Sequence, residues 1–325
     1  MRVAVVGAGA VGRSVAELAG DYGHEVVGVA DSAGAVVDGV AREGRREDEA
    51  GVDVAAAFDR KARTGSVGEA SVESLLSGPY DVLVEATPTT LGDAQPGFGH
   101  ARRALERDRH VVLANKGPVA ERYDDLQELV ADSAGELRFD ATVAGAIPAV
   151  ATVDSMGPER VEAVRGVLNG TANFVLSRMA AEGLGYEHVL AEAQELGVAE
   201  SDPSFDVEGT DAALKCVILA NVLRGGGVTL SDADVAGITD LPPSALSLAA
   251  EDGRTVRLIG EVTDDGVHVG PRLVPADDPL AVSGTRNVVQ LETTDAGQME
   301  LSGRGAGGPE TASAVLADVD RLAAE

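Results

Sequence analysis

The chain carries one cysteine, no tryptophan and few aromatic rings of any kind, 3% of 325 residues. A lone thiol, Cys216, excludes an internal disulfide framework and any cysteine-based metal centre, and it fits a reducing compartment. With rings so scarce, the core has to be built from Ala, Val, Leu and Gly, and an apolar fraction of 44% is enough to fill two domains. Long apolar runs are missing too. No stretch of about 18 uncharged apolar residues occurs, and Met1 leads straight into the strand-like RVAVVG without the basic, apolar start of an export signal. These absences lead us to expect a soluble, cytoplasmic protein with no membrane partner.

Positive charge is the other scarcity. Lys and Arg total 26 against 54 Asp and Glu, a net charge of -28. Such a surface repels a phosphate backbone, so nucleic acid is not an expected partner. The acids are interspersed among apolar periodic segments and do not run in blocks, which argues against a disordered or solvating protein. Self-repulsion on this scale is relieved when salt shortens the Debye length to roughly 3 Å at 1 M, and the expectation is a halophilic adaptation. Only Lys61, Lys116 and Lys215 are lysines. In a chain that otherwise uses arginine, each lysine invites a chemical reason.

What is present is a rhythm. RVAVV (2–6), a helical pattern over 10–22 and EVVGVA (25–30) alternate as βαβ units do, and predict a parallel sheet. After an acidic, Arg-containing stretch (42–50) the rhythm resumes with a short helix, DVLVEA (81–86), a helix near 98–108 and HVVLA (110–114). A helix over about 118–133 then precedes ELRFDATV (136–143). The second half changes character: a strand over 161–168, helices near 172–183, 186–196 and 209–224, a β-rich segment over 254–275 and strands near 286–291 and 298–302. A helix over about 309–324 closes the chain.

Gly7, Gly9 and Gly12 form G-x-G-x-x-G with Ala10 and Val11 between strand and helix. The first glycine permits the tight turn, the second a close approach of backbone to a pyrophosphate, and the third the packing of helix on strand. Alone the pattern is weak among 40 glycines. Asp31 at the end of the second strand strengthens it, and favours NAD, because a carboxylate accepts from the ribose 2′-hydroxyl and repels a 2′-phosphate. A solvated strand-end Asp is the simpler alternative. Against NAD, Lys61 and the arginines at 42, 45 and 46 suit a 2′-phosphate, although Lys61 reads equally as a surface lysine. The choice of NAD or NADP stays open. Thr87-Pro88 and Asn115-Lys116 end the next two strands, at the carboxyl edge where a parallel sheet gathers its ligand.

GVLNGTANF (166–174) offers amides, the Thr171 hydroxyl and a helix N-terminus suited to a carboxylate, or simply a Thr N-cap after an Asn-Gly turn. AQELGVAESDPSFDVEGTDAALK (193–215) packs Glu200, Asp202, Asp206, Glu208, Asp211 and Lys215 together. Asp211 and Lys215, four apart on one helix face, are otherwise a solvated pair worth about 0.3–0.5 kcal/mol.

Together these segments resemble the homoserine dehydrogenases. The glycine loop (7–12), A-N-K (114–116), A-T-V-A-G-A-I-P (141–148), N-G-T-x-N-F (169–174), the 193–215 stretch and G-R-G-A-G-G-x-x-T-A (303–312) occur in family order. The resemblance implies an α/β fold: a Rossmann-type doubly wound dinucleotide-binding domain (1–140 plus 303–325) with an inserted α+β substrate-binding and dimerisation domain (141–302), in a homodimer. It implies reversible hydride transfer between L-homoserine and L-aspartate 4-semialdehyde on NAD or NADP. Lys116 and Lys215 are then the acid/base candidates, with Asp211 orienting Lys215. Glu200, Asp206, Gly170 and Thr171 would hold substrate, and Gly305, Thr87 and Lys116 would join the cofactor residues. The family's monovalent cation, Na+, would sit at Asp140, Val143, Gly145 and Ile147. Relatives carry Glu where Asp140 stands, and an aromatic residue is common at the place of Val198. Many bacterial members carry a C-terminal regulatory ACT domain; the closing helix leads us to expect none, and hence no threonine feedback through one. Two rivals remain: another amino-acid dehydrogenase of this architecture, and a non-catalytic dinucleotide sensor. The 193–215 motif argues against the first, and retention of Lys116 and Lys215 against the second.

Overall fold

The computed structural model describes residues 1–38 and 51–324, and the chain divides into two units, Met1–Ala146 with Gly307–Glu325 and Ile147–Ala306. Arg42, Arg45 and Arg46 lie outside the described residues. Unit 1 holds a six-stranded sheet made of β1 (Arg2–Val6), β2 (Glu25–Asp31), β3 (Gly34–Val37), β4 (Val82–Glu85), β5 (His110–Leu113) and β6 (Leu137–Arg138). Their order is β3-β2-β1-β4-β5-β6, all parallel except the β2–β3 pair. β1 and β4 are almost wholly buried, as strands covered on both faces must be, which is why they read as unbroken Val/Ala/Leu runs. The closing helix Gly308–Ala324 returns to this unit and packs Ala312, Val315, Leu316 and Val319 into its core.

Unit 2 holds a second six-stranded sheet: β7 (Val161–Val167), β8 (Ala233–Val235), β9 (Arg254–Thr263), β10 (Gly266–Pro275), β11 (Arg286–Thr293) and β12 (Gly297–Arg304). The order is β12-β11-β7-β9-β10-β8, antiparallel except for β10 with β8. The helix Thr210–Arg224 contacts β9 and β10 and is buried over most of its circumference. A helix buried on nearly every face lies in the interior of its unit, its polar Asp211, Lys215 and Asn221 included.

The elements depart from the local pattern in several places. The helix expected over 118–133 is two pieces, Lys116–Glu121 and Tyr123–Ala131, broken at Arg122 (φ -133°). ELRFDATV contributes only Leu137 and Arg138 to a strand, and Ala141–Ala144 is a helical turn. The short strands β3 and β8 were not expected. Neither were the helices Ala149–Met156 and Pro243–Glu251.

Candidate active site

In unit 1 the glycine loop has the shape a pyrophosphate needs. Gly7 adopts φ +109°, and a methyl group built on it would lie 2.3 Å from the Ala86 carbonyl. A methyl on Gly12 would fall 1.7 Å from the Gly7 oxygen. Gly9 has open space where its side chain would be and caps the helix Ala10–Leu18, whose first amides have no partner within the helix. Backbone, dipole and clearance therefore fit a dinucleotide phosphate.

Asp31 is only 7% exposed. Its Oδ1 accepts from the amides of Ala33 and Gly34 at 2.9 Å each, and its Oδ2 from Lys61 Nζ at 2.7 Å and Val67 N at 3.0 Å. Burial pushes its carboxyl up, but the Lys61 and backbone hydrogen bonds outweigh that and hold it below the usual Asp range. These four donors occupy the acceptor positions of a carboxylate. The anion at the end of β2 is thus spent on holding Lys61, which leaves a cation where a 2′-hydroxyl acceptor was expected.

At the ends of β4 and β5 a buried polar relay joins Thr87 and Asn115, both expected at strand ends, to Glu85, which pattern reading missed. Glu85 is fully buried, and its Oε1 accepts from the Thr87 hydroxyl and, at 3.2 Å, from the Thr87 amide. Asn115 Nδ2 donates to Thr87 Oγ1 at 3.1 Å, while its Oδ1 caps the helix Lys116–Glu121 through Gly117 N at 3.0 Å. Lys116 is therefore the first residue of a helix whose start is tied back to Glu85. An acidic residue closing the apolar strand VLVE is the sequence signal that could have pointed to Glu85.

In unit 2 the two motifs meet. Lys215 is 6% exposed, and its Nζ donates to Leu168 O at 2.6 Å and to Asp211 Oδ2 at 2.7 Å. Asn169 joins the carboxylates: its Nδ2 lies 2.6 Å from Asp206 Oδ1 and 2.9 Å from Asp211 Oδ2, and its Oδ1 caps the helix Gly170–Glu182 at Ala172 N. The N-cap is Asn169, not Thr171, whose hydroxyl donates to Val198 O at 3.1 Å. Burial, with the neighbouring Asp211 charge, raises the Asp206 carboxyl above its ordinary value against the pull of Asn169 and Lys215. Gly170 packs closely, a methyl there falling 3.0 Å from Thr285 O. Glu200 stands apart: it is exposed, and its backbone carbonyl accepts from Gln194 Nε2 at 3.1 Å.

The proposed cation ligands fare differently. Asp140 is buried, its amide donates to Asp318 Oδ2 at 3.0 Å, and Arg321 Nη2 lies 3.5 Å from its Oδ2. Arg321 also bonds Asp318, whose carboxyl is pushed up to about 7 by burial and by the Asp140 charge. A guanidinium already supplies positive charge here. Among the described residues no group of three or more His, Cys, Asp or Glu side chains is arranged to hold a metal ion. Gly145 turns with φ +58°, and Val143 and Ile147 are buried. The positive charge found beside Asp140 is therefore the Arg321 guanidinium.

Comparison with known proteins agrees with the geometry. A family model described as homoserine dehydrogenase matches residues 148–319, and one described as glutamate/leucine/phenylalanine/valine dehydrogenase matches residues 1–90. The chain is 38% identical to a homoserine dehydrogenase of Methanocaldococcus jannaschii, over 98% of this chain and 97% of that one. It is 33% identical to an NAD(+)-dependent homoserine dehydrogenase of Pseudomonas canavaninivorans, over 98% and 95%. It superposes on a hyperthermophilic archaeal homoserine dehydrogenase in complex with NADPH with a TM-score of 0.83 at 26% identity, covering 99% and 97%. The second family model stops within the dinucleotide-binding end, so it reports a shared cofactor fold. Among the described residues no helix is long and apolar enough to cross a membrane. The full-length agreement of motifs, fold and relatives shows that the chain belongs to the homoserine dehydrogenase family and is an NAD(P)-dependent oxidoreductase.

Proposed function

We propose that the chain interconverts L-homoserine and L-aspartate 4-semialdehyde with Lys215 as the proton-transferring group. The observation that carries this reading is the buried Lys215 ammonium, aimed by Leu168 O and Asp211. Bound NAD(P)H supplies the hydride. As hydride reaches the aldehyde carbon, negative charge grows on its oxygen, and Lys215 Nζ gives that oxygen a proton and becomes a neutral amine. In the oxidising direction the amine takes the hydroxyl proton back. Asp206 and Asp211 are acceptors for the substrate ammonium, while the Gly170 and Thr171 amides, left over after Asn169 takes that of Ala172, suit its carboxylate. Glu200 joins only through movement of its exposed side chain. Lys116 is the second candidate acid, steadied by the Asn115 cap. A homoserine assay with each nucleotide tests the reading; activity on aspartate or diaminopimelate with none on homoserine would overturn it.

Lys61, held by Asp31, favours NADP over NAD, because its ammonium suits a 2′-phosphate and Asp31 has no acceptor position left for a hydroxyl. The family resemblance and the exposed Leu248 and Leu273 of unit 2 support a homodimer. The composition supports a cytoplasmic, salt-adapted enzyme.

A further inference from the structure

Arg257, on β9, is 5% exposed, and its guanidinium is held by neutral groups. Nε donates to Val282 O at 2.6 Å, Nη1 to Thr255 Oγ1 at 2.7 Å and Val256 O at 2.8 Å, and Nη2 to Ala281 O at 3.3 Å. No acid is among these partners. Burial pulls the guanidinium below the ordinary arginine value, and no neighbouring charge among the described residues offsets it. Other arginines of the same sheet are paired: Arg165 holds Glu261 and Glu292, and Arg272 holds Glu261. Arg257 instead faces Arg272 across the β9–β10 ladder. In a chain with 54 acids such a cation is out of place, because a buried charge is costly unless another charge answers it.

The carbonyl that anchors the guanidinium leads to the start of a helix. Val282 O also accepts from Asn173 Nδ2 at 3.2 Å, and the same Nδ2 donates to Gly284 O at 2.9 Å. Asn173 stands in the first turn of the helix Gly170–Glu182, about 5 Å along the axis from Gly170. Thr285 follows in the loop and lies against Gly170, where a methyl group would fall 3.0 Å from its carbonyl oxygen. Arg257, the loop over 281–285 and the amino end of this helix therefore pack together within unit 2.

We infer that Arg257 is a positioning residue for the substrate carboxylate: it holds this loop beside Gly170, and its charge is answered by that carboxylate. The inference rests on the reading that the Gly170 and Thr171 amides take the carboxylate. The positive end of the helix dipole and a cation that no acid has claimed add at that point.

Thr255→Asp tests it, because Asp is close to Thr in size and places a carboxylate where Oγ1 now accepts from Arg257. The new ion pair should leave the melting temperature equal or higher. KM for homoserine should nevertheless rise about tenfold, because the charge is now answered within the protein. Turnover and KM for the nucleotide should stay within about twofold. Arg257→Gln, which keeps a donor but not the charge, should raise homoserine KM in the same selective way, and it carries the measurement if Thr255→Asp does not fold. Homoserine KM within twofold of the wild type in either folded variant would make Arg257 a clamp for the loop alone and overturn the inference. A rise in both homoserine and nucleotide KM would also overturn it, as a general disturbance of the fold. Wild-type protein inactive on homoserine would sink the underlying reading of the site, a failure distinct from these.

Discussion

Two acceptors, Leu168 O and Asp211 Oδ2, hold Lys215 Nζ, and an ammonium has three N–H bonds, so one is left to give away. Lys215→Met keeps most of the side-chain volume and removes the transferable proton. Turnover should fall by about 10² to 10⁴ with cofactor affinity little changed. Lys116→Met and the double variant, measured alongside, reveal a shared role as non-additivity. Near-normal turnover in folded Lys215→Met would take this residue out of the chemistry. Asp206 makes a second residue-scale case. Burial raises its carboxyl, so the folded protein keeps the proton where the unfolded chain, with a value near 3.8, has released it. Stability from this group is therefore full below the unfolded value and declines as pH rises through the raised folded one. Asn cannot ionise, so the melting-temperature difference, Asp206→Asn minus wild type, should grow as pH rises above the unfolded value. A difference that shrinks with pH would mean that the ionised Asp206 is stabilised in place.

At the scale of elements, the relay Glu85–Thr87–Asn115 ties the end of β4 to the start of the helix that Lys116 opens. Glu85→Gln keeps an acceptor for Thr87. Glu85→Met removes it and should cost about 1–3 kcal/mol of stability by leaving buried donors unmet, together with a raised KM for the nucleotide. Equal behaviour of the two variants in melting and kinetics would show that the acceptor is not what matters. Thr87 and Asn115 were readable as strand-end residues, but not their contact, since Asn115 meets Thr87 across 28 residues of chain. The same holds for Asn169, which reaches Asp206 and Asp211 across 37 and 42 residues, and for Lys61 on Asp31 across 30. By contrast the glycine loop, the βαβ alternation and the Asp211–Lys215 spacing are complete within a turn or a strand, and local order makes them legible. Short elements such as β3, β8 and the helix Ala149–Met156 carry too few residues for a period to declare itself, and long-range packing decides them.

Across the whole molecule, the charge of -28 is the term that no local contact cancels. Many of its ion pairs, such as Arg13 with Glu17 and Arg160 with Glu159 and Asp295, lie on the surface. Each is worth about 0–1 kcal/mol at most and is itself weakened by salt. Added salt therefore weakens a few attractions and a much larger repulsion, because acids outnumber bases 54 to 26. The melting temperature should rise as KCl goes from about 0.1 M to about 2 M, steeply at first and then less as the Debye length falls below the spacing of surface charges. Choline chloride should do nearly as well as KCl, since screening does not distinguish cations. Equal stability in dilute and concentrated salt would remove the halophilic reading. The same series tests Asp140 independently. With Arg321 already beside it, turnover at matched ionic strength should be alike in NaCl, KCl and choline chloride, and a requirement for Na+ or K+ would mean that a cation displaces the guanidinium during the reaction.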